Sequence, residues 1–337
     1  MALTPTVAQT QVFTGNLQFA AQAGGVINLP CLPGVRLSWP KNYSIPPILG
    51  NYWQFNYTEG VRLPTLEVDL VPRDKTLEAL SGATGGPIPV ALARSGGPAA
   101  NDIAIIDTVA GILNTYQGVT FTGAVTFSNG RKALTMVGAK VDGFVISVGS
   151  KGDDLRIKLR IVGCACFATY GIGTAAPAGI GIPPWDNATP LRFQSSNFYQ
   201  SAACTTIHTT LGNAVTSWSL SYNNNCTPDP SLNGTTAPAA INAGLPTCSL
   251  SLSVQAATIV DQNLDGQSVT IGIKSPPTGT GSSAGLGLLA AFTLNNVLNA
   301  TPDELNQTAP RVLTPHQFIC RGSDSATNGP IAFTSTF

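Results

Sequence analysis

The clearest pattern along the chain is strict alternation. In Asp154-Leu-Arg-Ile-Lys-Leu-Arg-Ile161, Leu155, Ile157, Leu159 and Ile161 alternate with Arg156, Lys158 and Arg160. A period of two predicts a strand with one buried and one solvated face. The preceding Val141-Asp-Gly-Phe-Val-Ile-Ser-Val148 reads as its partner across the turn Gly149-Ser-Lys-Gly-Asp153, so the two segments predict a hairpin. Ser249-Leu-Ser-Leu-Ser-Val254 repeats the alternation with serine where the first strand has charge, and Ile331 to Phe337 closes the chain as a strand. An uncharged outward face predicts contact with other protein. Ser249, Ser251 and Ser253, together with Asn223 and Asn224, are therefore the candidate assembly residues.

Helical signals are few. Asp74-Lys-Thr-Leu-Glu-Ala-Leu80 has an Asp N-cap candidate and stops at Ser81-Gly82. Thr301-Pro302-Asp303-Glu304-Leu305 places Pro at the first helical position of a second short helix, and Asp102 to Leu113 fits either a helix or buried strands. With 35 Gly, 25 Pro and abundant Thr, Ser, Val and Asn, the chain is expected to be all-β.

A weak internal repeat runs through it. Val35-Arg-Leu-Ser-Trp39 is echoed by Leu191-Arg-Phe-Gln194, and Trp53-Gln-Phe-Asn-Tyr57 by Trp218-Ser-Leu-Ser-Tyr222. Leu63-Pro-Thr65 returns as Leu245-Pro-Thr247, Val125-Thr-Phe-Ser-Asn129 as Phe292-Thr-Leu-Asn-Asn296, and Ala133-Leu-Thr135 as Val312-Leu-Thr314. Five landmarks in the same order predict two tandem β domains, with one short helix in each half and Trp53, Tyr57, Trp218 and Tyr222 as core positions. The first domain spans residues 1–170 with an N-terminal arm and the second 189–337. The Gly/Pro/Ala-rich stretch 171–188 joins them.

Charge refines this picture. The 337 residues carry 17 Lys+Arg and 17 Asp+Glu, 10% charged in all, against roughly 25% in an ordinary soluble domain. Net neutrality excludes a strong basic bias for nucleic acid and favours association. Before Thr189 stand 13 Lys/Arg and 11 Asp/Glu; from there on stand 4 and 6. The second half is expected to give more of its surface to subunit contacts.

Candidate chemistry is sparse, and no enzyme is expected. His208 and His316 lie far apart without a hydrolase motif around either, and the nucleophile-elbow, zinc-protease and phosphate-loop motifs are absent. Seven cysteines, Cys31, Cys164, Cys166, Cys204, Cys226, Cys248 and Cys320, read mainly as buried thiols. Cys164-Ala-Cys166 lacks the second pair that a zinc site needs, and Cys226 and Cys248 flank the loop Thr227 to Gly244 closely enough for a disulfide outside the cytosol. Asp153-Asp154 and Asp261 to Asp265 read as polar turns, because the full calcium loop is missing. Arg131-Lys132, Lys140 and Arg156/Lys158/Arg160 read as a solvated strand face. No cofactor or metal is expected. The N-terminus lacks a secretory signal and no apolar run is long enough to span a membrane, so synthesis in the cytosol is expected.

The order Leu191-Arg-Phe193, Trp218 to Asn224, a Gly/Pro loop, Ser249 to Val254 and Phe292 to Asn296 resembles the tail tube (major tail) proteins of long-tailed bacteriophages. Phe121 to Asn129, Ala133-Leu-Thr135, Gly138-Ala-Lys-Val141 and the hairpin ending at Val162-Gly163 extend the likeness over most of residues 35 to 337. The resemblance implies tandem β-sandwich or barrel domains, each with a short flanking helix, in a structural virion protein located in the tail and assembled in the host cytoplasm. Its β domains would join side by side into rings, and the rings would stack into a conduit for DNA during ejection. It implies no catalytic residues. Partners would be further copies of the chain, a tape-measure protein and tail-end proteins, with DNA passing transiently. Two domains per chain would make each ring a trimer with pseudo-sixfold symmetry, and Ser81 to Asn101 and Ser275 to Gly287 are read as arms toward the next ring. Alternatives are another virion structural protein (coat, decoration or tail-tip subunit) or, more distantly, a carbohydrate-binding or adhesive β-sandwich. The last would need clustered exposed aromatics, whereas Trp39, Trp53, Trp185 and Trp218 are scattered.

Overall fold

A computed structural model of the chain describes residues 16–21, 26–30, 36–38, 43–44, 58–81, 86–92, 102–107, 130–150, 152–172, 190–212, 214–229, 237–255, 264–275, 287–300, 306–308, 311–322 and 329–336. In chain order the strands are Asn16–Ala21 (β1), Val26–Pro30 (β2), Arg36–Ser38 (β3), Tyr43–Ser44 (β4), Thr58–Glu59 (β5) and Thr65–Leu70 (β6). Two helices follow, Asp74–Ser81 (α1) and Pro87–Leu92 (α2). Then come Asp102–Asp107 (β7), Gly130–Val148 (β8), Arg156–Val162 (β9), Ala165–Ile172 (β10), Ser196–Tyr199 (β11), Val215–Asn223 (β12), Thr227–Pro228 (β13) and Ile241–Asn242 (β14). Thr247–Gln255 (β15), Val269–Lys274 (β16), Leu288–Leu294 (β17), Val297–Asn299 (β18), Asn306–Thr308 (β19), Arg311–Cys320 (β20) and Ile331–Ser335 (β21) complete the set. The fold is all-β, and every ladder among the described residues is antiparallel.

The expected hairpin is present as β8 and β9, but β8 runs 19 residues and organises more than one partner. One of its edges carries β10 over 130–137 and β9 over 140–147. Its other edge carries β7 near 136–140 and β12 over 143–148. A large sheet therefore extends from β3 and β6 through β9, β8, β12 and β15 to β20, with β18 and β19 both pairing to β20, while β7, β1 and β2 extend it sideways from the first part of β8. Gly143 sits where β8 meets β12: the β8–β9 register shifts between Val141 and Gly143, and a Cβ at Gly143 would lie 2.4 Å from the Tyr222 carbonyl oxygen. Only a residue without a side chain lets the two backbones approach so closely.

A second sheet, in the order β11, β16, β17, β21, covers the inner face of the large one. Phe144 of β8 meets Phe292 of β17 at 6.2 Å between ring centroids, and Phe198 of β11 meets the edge of Trp218 of β12 at 6.3 Å. The core is built in rows set by register. One row crosses the large sheet as Val68, Leu159, Phe144, Tyr222, Cys248, Cys320 and Val297, all buried. A neighbouring row runs Leu70, Ile157, Ile146, Leu220, Leu250 and Phe318. Residues from both sides of the expected 171–188 linker thus share one sheet and one core.

Helix α1 forms where expected. Leu77 and Leu80 are fully buried on its inner side, and Ser81 carbonyl accepts from Ser335 Oγ of β21 at 3.2 Å. Part of the expected arm 81–101 is instead helix α2, whose Ile88 and Ala91 are fully buried and which packs against β8 and β21. Pro87 opens this short helix, where a missing N–H costs nothing, and Ile88 and Ala91 share the inner side. From the segment 102–113, residues 102–107 form strand β7, one of the two alternatives. The expected helix at 301–305, Trp53 and Tyr57, the segment Phe121 to Asn129, most of 171–188 and residues 276–286 lie outside the described residues. Of the paired repeat landmarks, β6 pairs β3 and β9, whereas its counterpart β15 pairs β12 and β20.

Candidate assembly surface

The outer face of the large sheet inherits the alternation seen in the sequence, and register aligns its side chains in rows. One row runs Asp69, Lys158, Val145, Ser221, Ser249 and Ile319 across β6, β9, β8, β12, β15 and β20. A second runs Arg156, Ser147, Ser219, Ser251 and Gln317; a third runs Glu67, Arg160, Gly143, Asn223 and Thr247. In all three rows charge stops at β9, and the β8 carboxylate at this boundary, Asp142, falls in the register shift between Val141 and Gly143 and is buried. From β8 onward the row positions are serine, asparagine, threonine, glutamine, glycine and aliphatic residues.

The charged end neutralises itself. Lys158 Nζ lies 3.6 Å from Glu67 Oε2, with both side chains substantially exposed, a pairing of the kind that contributes about 0–1 kcal/mol. Arg160 Nε lies 3.3 Å from Asp142 Oδ2, and Asp142 is buried. The uncharged end differs in kind. Serine has a short side chain with little rotamer entropy to lose, and its hydroxyl both donates and accepts. A flat array of such groups can be covered by another polar surface without stranding a charge. Ser251 is exposed and Ser249 and Ser253 are half-buried on this face, at positions where Ser219, Ser221 and Ser217 of β12 oppose them.

Asn223 and Asn224 part company. Asn223 lies half-buried on the outer face, and its Oδ1 accepts from the Asn225 backbone N–H at 2.9 Å. Asn224 is fully buried. Its Nδ2 donates to the carbonyls of Ala91 at 2.9 Å and Val141 at 3.0 Å, and its Oδ1 accepts from the Tyr222 hydroxyl at 3.1 Å. Asn224 therefore serves inside the chain, tying β12 to β8 and α2. Nothing in the sequence around it distinguishes this role; only the long-range register reveals it.

Beside Asn224 the chain leaves the sheet, and Asp142 holds its path. The Cys226 backbone N–H donates to Asp142 Oδ1 at 2.8 Å, and the strands β13 and β14 follow. Cys226 packs with Leu63, Val162, Cys164 and Ile241 in a small satellite cluster. Burial, followed by the adjacent Asp142 carboxylate, pushes the Cys226 thiol up to about 12. Cys248 lies in the main core instead, so the two ends of the 227–244 loop place their thiols in separate clusters. Of the cysteines whose side chains are described, Cys204, Cys226, Cys248 and Cys320 are free thiols; Cys164, Cys204, Cys248 and Cys320 are buried and Cys226 is half-buried.

The remaining candidates have structural surroundings. His208 is buried, and its Nδ1 accepts from the backbone N–H groups of Thr210 and Leu211, both at 3.3 Å, closing a turn. His316 stacks on Phe318 with centroids 6.1 Å apart. Asp153 Oδ2 accepts from the Ser150 backbone N–H at 2.6 Å and from Ser150 Oγ at 3.0 Å, Asp154 lies 3.3 Å from Arg192 Nε, and Asp265 Oδ1 accepts from the Asn299 N–H at 2.7 Å. Asp153-Asp154 forms the expected polar turn; of the second, Asp261 to Asn263 lie outside the described residues. Lys140 departs from the expected solvated face: it is only 3% exposed. Trp218 and Tyr222 are core residues as expected, with Trp218 Nε1 donating to Ser196 Oγ at 3.1 Å.

A groove of about 880 Å³ opens beside Trp218 at one end of the sandwich, bordered by Phe193, Gln194, Asn197, Thr216 and Gln255 among others. Among the described residues its lining has no titratable side chain. Among the described residues no group of three or more His, Cys, Asp or Glu is placed to hold a metal, and no helix is long and apolar enough to cross a membrane. No known protein family's profile matches the chain, and no characterised protein matches it in sequence.

Proposed function

We propose that this chain is a structural subunit that assembles with copies of itself through the uncharged outer face of its large sheet, and that the assembly is the tail tube of a long-tailed bacteriophage. The single observation carrying the assembly reading is the charge boundary between β9 and β8. On one side the outer face is a self-neutralised charged strip; on the other, three strands present serine in register. Solvated sheet faces of free proteins ordinarily carry charge to stay soluble, and a net charge of zero on 337 residues removes the alternative source of solubility. The tube reading adds the resemblance of the strand order, a two-sheet sandwich with flanking helices, and the low Lys/Arg content, which keeps a DNA conduit from gripping phosphate.

The chain count per ring is part of the proposal. Three chains supply six units if each sequence half is one unit. The continuous β8–β12 ladder and the shared core weigh toward one unit per chain and a ring of six chains. Electron microscopy of the purified protein tests both levels. Stacked rings with a central channel support the tube, closed shells support a coat subunit, and persistent monomers overturn the assembly reading. The rotational symmetry of one ring gives the number of chains.

A further inference from the structure

Cys248 and Cys320 stand directly opposite each other on β15 and β20. Both side chains point into the main core, being 3% and 5% exposed. In an antiparallel ladder, directly opposed residues have Cα atoms about 4.5–5.5 Å apart, inside the roughly 4.4–6.8 Å range of disulfides. Among the cysteines whose side chains are described, no other competes: Cys226 is in the satellite cluster, Cys164 Sγ is 3.4 Å from the Gly138 carbonyl, and Cys204 packs with Tyr199 and Ala291 against the second sheet. We propose that Cys248 and Cys320 are a latent cross-strand disulfide, formed when the folded chain meets a small-molecule disulfide oxidant outside a reducing compartment.

The chemistry balances with oxidised glutathione as that oxidant. One cysteine loses its proton and its thiolate attacks glutathione disulfide, releasing one glutathione thiolate and leaving a mixed disulfide. The second cysteine loses its proton in turn, attacks the protein sulfur of that mixed disulfide and releases the second glutathione. Two protein thiols are oxidised, one glutathione disulfide is reduced to two thiols, and the two protons end on them. Reaction is slow in the closed fold, because the hydrogen bond to Cys320 and then burial hold the Cys248 thiol far above its ordinary range. Access comes at the strand ends: Cys320 is the last residue of β20 and Cys248 the second of β15, so fraying of one end exposes both. Once formed, the bond fastens β20, together with β18 and β19, which among the described strands pair to it alone, onto β15.

The test is to incubate the full-length folded chain in an oxidising glutathione buffer, alkylate residual thiols after denaturation, and map peptides by mass spectrometry. The expected result is a single intrachain link joining the Cys248 and Cys320 peptides, an intact-mass loss of about 2 Da, and reversal by dithiothreitol. Cys320→Ala removes the link. If that variant does not fold, the wild-type peptide map decides alone. Linkage of Cys248 to Cys226, linkage between chains, a persistent glutathione adduct on either residue, or full alkylation of both after exhaustive oxidation overturns the proposal.

Discussion

The hydroxyl of Tyr222 donates to Oδ1 of Asn224, two residues further along the same chain, and both groups are buried between β12, β8 and α2. The pair acts as one unit. Tyr222 fixes the amide, and the amide's N–H groups then reach one carbonyl of helix α2 and one of β8.

Asn224→Ala leaves the Ala91 and Val141 carbonyls and the Tyr222 hydroxyl without this partner inside the protein, and is expected to cost about 3 kcal/mol. Tyr222→Phe removes one neutral bond and should cost about 1 kcal/mol. Urea denaturation of both single variants and the double variant measures the coupling. A loss below about 0.5 kcal/mol for Asn224→Ala would show that the staple is unimportant.

Gly143→Ala drives a Cβ to within 2.4 Å of the Tyr222 carbonyl, a backbone atom that cannot swing aside. The expected cost is about 2 kcal/mol or more. Amide hydrogen exchange should rise along 218–223, where β12 pairs β8, more than along β16. Uniform exchange changes across both sheets would contradict a local role.

Placing charge on the serine face separates assembly from folding. Ser251→Lys and Ser219→Lys should change unfolding free energy by no more than about 0.5 kcal/mol, since both sites face outward. They should nevertheless shift the protein to monomers in sedimentation velocity, because each buries an unpaired ammonium when the face is covered. Lys158→Ser, at the charged end, should leave assembly intact. Assembly unaffected by either lysine would remove this face from the interface.

Stability should also carry a signature of His208. Burial holds its imidazole below the ordinary value of 6.5, so the unfolded chain binds the proton more readily than the folded one. Its contribution is therefore absent above about pH 6.5, grows as a destabilisation while pH falls below it, and levels off beneath the folded-state value. Protonation also removes the lone pair that Thr210 and Leu211 use. Asp153 acts in a separate window. The backbone N–H and then the hydroxyl of Ser150 hold its carboxyl below 3.8, so its stabilising effect is present above that pH and is lost on further acidification. Denaturation curves at pH 7.5 and 5.5 should diverge less in His208→Gln than in wild type, and equal divergence would exclude His208 as the source.

The parts legible in the sequence were those governed by local periodicity. Alternation at 155–161 and 249–254 announced which side of each strand faces the core, and Asp74 with Ser81-Gly82 marked α1. Helix α2 was hidden because Pro87-Ile-Pro-Val-Ala-Leu92 sits in a Gly/Pro-rich stretch, and its stability comes from burying Ile88 and Ala91, which is a tertiary effect. The serine face was half legible. The outward serines of β15 could be read, but their alignment with Ser217, Ser219 and Ser221 depends on pairing between strands more than twenty residues apart. Asn224 and the Cys248–Cys320 opposition depend on pairing over still longer separations, about which spacing along the chain says nothing.

The length of β8 also sets a timetable for synthesis. Residues 143–148 leave the ribosome some seventy residues before 218–223, and until those arrive the edge destined for β12 has no partner within the chain. A second nascent copy offers the same β12 sequence to that open edge, so exchange of β12 between neighbours competes with its pairing within one chain. Fast elongation through the intervening segment and low local chain concentration favour the self-contained product, whereas crowded translation favours intertwined pairs.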